Sequence, residues 1–192
     1  MGLIYIDADT DLVKPNQPCS LGTLASMTMT HLTMNDGALE SMKPFTRPDG
    51  SGVVDSENIV LFGLNVGCAS NTKEQMGYLL DETFQVFTSA AVAKEPVRRA
   101  KQALKWLEER VDHIVVHLDV DAIDAFWYPL ANLPNFTGAG FEAIMAALEV
   151  FLGSEKVVGL VVAEVNPDHD PGTKMTKRLV DEVTRYLRAR RK

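Results

Sequence analysis

The sequence predicts an α/β protein, a parallel sheet covered by helices. Two observations carry that expectation. Short apolar runs alternate with amphipathic stretches along the chain, and several of those runs stop abruptly at acidic residues. With 192 residues, 46% of them hydrophobic and 23% charged, the chain can bury one sizeable core, and residues 1–192 read as a single domain. No apolar run approaches the ~20 residues that span a bilayer. The opening MGLIYIDADTD carries acids too early for a secretory or transit peptide. Cys19 and Cys68 are too few for a disulfide scaffold and lack zinc-type spacing, so a reducing cytoplasm is the expected compartment.

Taken in order, 3–6 (LIYI) reads as a buried strand stopping at Asp7, and 21–32 has helical spacing at Leu24, Met27, Thr28 and His31. Residues 35–58, rich in Gly, Pro, Asp and Ser, form a long surface excursion, and 59–64 (IVLFGL) is a second buried strand. Asn71 is the expected cap of a helix running to Asp81, with Glu74 as its capping-box partner. A short strand at 83–87 precedes a helix at 96–110 that opens on Pro96 and aligns Val97, Ala100, Leu104 and Leu107. A central strand at 113–118 (HIVVHL), a helix at 140–152, a last strand at 157–162 (VVGLVV) and a last helix at 174–190 complete the pattern.

Charge is unevenly placed. The net is −7, yet residues 174–192 hold eight basic and two acidic residues, leaving 11 basic and 24 acidic elsewhere. The basic end suits the negative pole of a terminal helix, and a nucleic-acid or membrane surface is not expected. The acidic excess gathers where strands end: Asp7, Asp9 and Asp11 after the first, Asp119 and Asp121 after the central one, Glu164 after the last. Ligands of open parallel sheets bind outside the carboxyl ends of strands. Aspartates crowded there repel one another unless a cation sits among them, and hard divalent ions take such oxygens. Capping and surface hydrogen bonding is the competing reading.

The segments Asp7-Ala8-Asp9-Thr10-Asp11, Asp119-Val120-Asp121-Ala122-Ile123-Asp124 and Glu164-Val165-Asn166-Pro167 resemble, in order and spacing, the three later signatures of the ureohydrolases: arginase, agmatinase and formimidoylglutamase. The resemblance implies a three-layer α/β/α sandwich of the arginase/deacetylase type. It implies hydrolysis of a guanidino or formimino C–N bond through a hydroxide held by two Mn²⁺ ions. Asp7, Asp11, Asp119 and Asp121 match metal ligands, and Asp9 stands where the family has a histidine ligand. Asp119 and Glu164 become the catalytic candidates, Glu164 also as the acid near the substrate's guanidinium. Ala25 stands where arginases carry a proton-shuttling histidine, and the first family signature, Gly-Gly-Asp-His, would lie upstream of Met1. Weak metal occupancy, slow turnover, and a homo-oligomer or pairing with a missing N-terminal segment are therefore expected.

Other residues carry weaker signals. His169 could approach the site but is expected in an exposed loop, and His117 is expected as a satisfied core histidine. His31 and His113 have no partner at ligand spacing, and Met27, Met29 and Met34 read as core packing. Trp127 and Tyr128 could wall a guanidinium or plug the sheet end. Two other classes compete: an inactive ureohydrolase-like binding or regulatory subunit, and a phosphohydrolase reading of Asp7-Ala8-Asp9-Thr10, with Asp7 as nucleophile.

Overall fold

A computed structural model describes residues 1–17 and 22–190. Five strands, β1 (Gly2–Ile6), β2 (Ile59–Leu64), β3 (Gln85–Thr88), β4 (Ile114–Asp119) and β5 (Val157–Ala163), form one sheet. All neighbouring strands are parallel, in the order β3-β2-β1-β4-β5. The chain therefore winds outward from β1 through β2 to β3, then returns to the far side of β1 and winds outward again through β4 to β5. The winding reverses between β1 and β4, and a crevice opens at the carboxyl ends of those two strands.

Side-chain alternation sorts the strands' residues between two layers. Ile4, Ile6, Val60, Phe62, Val116 and Leu118 face one layer of helices: α3 (Ser89–Lys94), α4 (Pro96–Glu108), α5 (Phe141–Leu152) and α6 (Lys174–Ala189). Phe62 is fully buried there against Phe87 and Phe151, worth ~1.5–3 kcal/mol relative to exposure. Tyr5, Ile59 and Leu61 face the other layer, where α1 (Thr28–Leu32) and α2 (Lys73–Asp81) contribute Met29 and Leu79. The expected sandwich with helices on both faces is what the chain forms. Gly63 breaks the alternation. Its φ of +99°, closed to most L side chains, shifts the β2–β3 register and turns Leu64 to the same layer as Leu61.

Three local expectations are corrected. The helix expected over 21–32 is a 3₁₀ turn, Ala25–Met27, followed by the five residues of α1, and Leu21 lies outside the described residues. Its threonines bond backbone instead of extending a helix: Thr28 Oγ1 donates to the Ala25 carbonyl and Thr30 Oγ1 to that of Val13. The cap of α2 is Thr72, with Gln75 closing the capping box, because the Asn71 side chain is used elsewhere. The short helix α3 was not foreseen; its six residues follow β3 with no room for an amphipathic period.

Among the described residues β5 pairs only with β4, at the end of the sheet. Two of its apolar side chains are exposed, Val158 at 58% and Val161 at 49%. The excursion at 35–58 is mostly exposed and contains one 3₁₀ segment, Glu40–Phe45.

Candidate metal and substrate site

All six acids singled out in the sequence line one cleft at the β1/β4 crevice. Asp7, Asp9, Asp11, Asp119, Asp121 and Glu164 are joined there by Ala25, Ser26 and Leu133. Asp7 and Asp119 sit two positions beyond Tyr5 and His117, which are paired across β1 and β4, so the four side chains share a sheet face. Backbone amides orient three of the acids. Asp9 N–H donates to Asp7 Oδ1 (2.7 Å), Asp121 N–H to Asp119 Oδ1 (3.0 Å), and Ala8 N–H to Asp121 Oδ1 (3.1 Å). The Tyr5 hydroxyl donates to Asp11 and the Ser70 hydroxyl to Asp9.

Burial dominates the electrostatics. It holds Asp7 well above the ordinary carboxylate range, with Asp121, Asp11 and Asp119 adding like-charge repulsion. Burial likewise lifts Asp11 and Asp119 to about 7, and Asp121, pressed further by Asp119, to about 8. Two of the acids occupy left-handed backbone, Asp11 at φ 50° and Glu164 at φ 62°, a conformation costing ~1–3 kcal/mol outside glycine. A strap of residues 130–133 holds Glu164 in it. Asn132 N–H donates to the Glu164 carbonyl (2.8 Å), Leu133 N–H to Oε2 (2.9 Å), and Ala131 bridges Val165.

His117 is not the satisfied core histidine that its place in a strand implied. One ring nitrogen lies in a group with Asp7 and Asp119 whose ligand atoms are all within 4.8 Å of one another. Its Nε2 is sealed from solvent and has no hydrogen-bond partner. Burial pushes the imidazole down to about 4, which keeps it neutral at pH 7. Tyr5 stacks on the ring at 4.5 Å and 12°. The signal was in the alternation: a histidine two residues before a strand-end aspartate shares its face.

Asparagines join the loops around the cleft. Asn71 Nδ2 donates to the carbonyls of Ala8 (2.9 Å) and Asn65 (2.8 Å), and Asn71 Oδ1 accepts from Thr10 N–H (2.8 Å). Asn65 Nδ2 donates to Asn135 Oδ1 (2.7 Å) and the Phe136 carbonyl (2.8 Å). The remaining candidates stay outside. His169 is exposed, with Nδ1 at 2.8 Å from the Ala131 carbonyl oxygen. Tyr128 is buried, its hydroxyl donating to the Met175 carbonyl (2.5 Å). Trp127, 77% exposed, packs edge-on against Phe126. Met27 and Met29 are buried and Met34 half-buried. Cys68 is a free thiol, and Cys19 lies outside the described residues. No described helix is long and apolar enough to cross a membrane.

A doubly wound parallel sheet with carboxylates crowded at its switch point is a framework for holding cations. The chain belongs to the arginase family, whose model, described as "Arginase family", matches residues 1–189. It is 29% identical over 177 residues to an arginase of Staphylococcus aureus (strain MRSA252), a match covering 90% of this chain and 55% of that protein. It is 26% identical over 121 residues to a formimidoylglutamase of Staphylococcus carnosus (strain TM300), covering 63% of this chain and 39% of that one. The solved arginase from Bacillus caldovelox shares the fold, with a TM-score of 0.82 at 19% identity, over 97% of this chain and 60% of that one. The chain thus spans a little over half the length of these two arginases.

Proposed function

We propose that this chain is a metal-dependent hydrolase of a guanidino or formimino C–N bond, working at the β1/β4 cleft. The observation that carries the reading is the gathering of six acids at the switch point of an arginase-family fold. The donors suit a divalent ion: buried carboxylates that repel one another without a cation, beside an imidazole one of whose nitrogens is buried without a partner. Asp7, Asp9, Asp11, Asp119 and Asp121 would hold the metal, two Mn²⁺ ions in the arrangement that the family implies. When bound, the metal lowers the pKa of water and stabilises charge developing at the scissile carbon.

The chain's own residues do the rest. The acidic wall attracts a cationic group, and Glu164, fixed by the Leu133 amide, would accept a guanidinium or formimino N–H. Ala25 lines the cleft without a group that can carry a proton, so turnover is slow, by the ~10²–10⁴-fold that a general acid/base supplies. The test is urea or ammonia release across a panel of guanidino and formimino compounds. Glu164→Gln keeps an oxygen for the Leu133 N–H but loses the charge. KM for cationic substrates should rise about 10–100-fold, the worth of one charged hydrogen bond. An unchanged KM would remove Glu164 from substrate binding.

The same reading includes assembly. The outer edge of β5, with Val158 and Val161 exposed, offers unpaired backbone groups to another strand, and a second copy of the chain is the partner proposed. Sedimentation velocity should find a species larger than a monomer, and Val161→Lys should return it to one. A wild-type monomer at high concentration would refute this.

A further inference from the structure

We propose that His117 supplies the nitrogen ligand of a metal centre with Asp7 and Asp119, and that this centre selects a borderline transition ion over Mg²⁺. The inference rests on the metal-dependent reading of the cleft and adds a ligand that none of the three family-like signatures contains. Its ground is geometric. His117 precedes Asp119 by two residues on β4, and Tyr5, its partner on β1, precedes Asp7 by two, so the pleat delivers all three ligand side chains to one face. The three ligand atoms lie within 4.8 Å of one another. Donors bound to one ion at ~2.1 Å are ~3.4 Å apart in tetrahedral geometry, so one ion gathers the set after a closure of about an ångström.

The surroundings argue for a ligand and against idle packing. A buried polar atom without a partner costs ~1–3 kcal/mol, so native structures rarely leave one. Nε2 of His117 is such an atom, and one nitrogen of the same ring lies within 4.8 Å of two buried carboxylates whose charge a cation offsets. The Tyr5 ring stacked on the imidazole fixes its plane, as a preorganised ligand requires. The carboxylates are equally constrained, each with one oxygen committed to a backbone amide. One imidazole with two carboxylates is softer than an all-oxygen site. It favours Zn²⁺ and Co²⁺ over Mn²⁺ by the general affinity order, and Mn²⁺ over Mg²⁺.

The experiment measures metal binding without substrate. Calorimetric titration of the metal-stripped 192-residue chain with Co²⁺, Zn²⁺, Mn²⁺ and Mg²⁺ is compared with His117→Gln and His117→Ala, and circular dichroism checks that each variant is folded. Both variants should weaken Co²⁺ and Zn²⁺ by about 100-fold or more, beyond the 10–100-fold cost of losing a merely supporting group. Mg²⁺, an oxygen-seeking ion, should change by less than about threefold. Adding Zn²⁺ to the wild type should move a ring-nitrogen resonance of His117 in a ¹⁵N spectrum, a readout that stands even if a variant fails to fold. An unmoved His117 resonance in Zn²⁺-loaded protein, or full Co²⁺ affinity in folded His117→Gln, would overturn the proposal. Urea or ammonia release is scored separately, so His117 can bind metal with no hydrolysis, or hydrolysis can proceed with His117 unbound.

Discussion

Asp119→Asn should lower urea or ammonia release by about 10³-fold or more, and in the same protein it should raise the thermal stability of the metal-free fold. The loss follows from position. Asp119 ends β4, lines the cleft with five other acids, and shares the Asp7–His117 group. Asparagine keeps an oxygen for the Asp121 amide, so the turn survives while the charge that holds a cation is gone. The gain in stability follows from burial, because the replaced carboxyl is one that the fold lifts to about 7. Removing a charge that the folded state disfavours relieves the strain of a site built for binding. Activity is read on the guanidino and formimino panel, stability by thermal melting in chelator at pH 8. Full activity in Asp119→Asn would remove the metal-dependent mechanism. Phosphate release from phosphomonoesters, abolished by Asp7→Asn, would transfer the site to a different reaction.

The metal-free protein should be most stable in mild acid and lose stability between about pH 4 and pH 8. Asp11 and Asp119 are raised from 3.8 to about 7, Asp121 to about 8, and Asp7 shifts in the same direction. Below the unfolded value both states hold the proton, and the fold bears no charge penalty. Above it the unfolded chain releases the proton while the folded chain retains it. Each such group then withdraws ~1.4 kcal/mol of stability per pH unit until its folded value is passed. Summed over the cleft this reaches several kcal/mol, a large part of a domain's stability. Surface acids such as Asp55, held low beside Arg47, have the opposite sign, but they are largely solvated and small in effect. The thermal midpoint in chelator should fall from pH 5 to pH 8, and Mn²⁺ or Zn²⁺ should restore it most at pH 8. A midpoint that is flat or rising across that range would mean that the cleft acids ionise freely.

The strands and long helices were legible because their apolar periods are strong. The VVGLVV and IVLFGL runs, the Pro96 start and the strand-end acids each reduce to a local rule. Strand order was not legible, because parallel pairing is settled by contacts distant in the chain, and with it went the reason why Asp7 and Asp119 meet. The capping of α2 was misassigned by one residue because Asn71 and Thr72 are both good caps. Only the three-dimensional neighbours Ala8 and Thr10 show where the Asn71 side chain is engaged. His117 was misread for a related reason: a histidine in an apolar strand suggests a core position until the opposite strand is known.

The frame and the charge of the cleft are built from different materials. Asn65 and Asn71 join the turn after β1 to that after β2 and to the segment at 135–136 through neutral amides, and these bonds have nothing to gain or lose from proton or salt concentration. The acids are steadied inside that frame by backbone amides and by the Tyr5 and Ser70 hydroxyls. Their mutual repulsion can rise and fall with ion binding while the amide bonds keep their partners, so a cation entering the cleft has only side chains to draw in. The cost of assembling like charges is met once, when the chain folds, and is not repeated each time the cleft fills and empties.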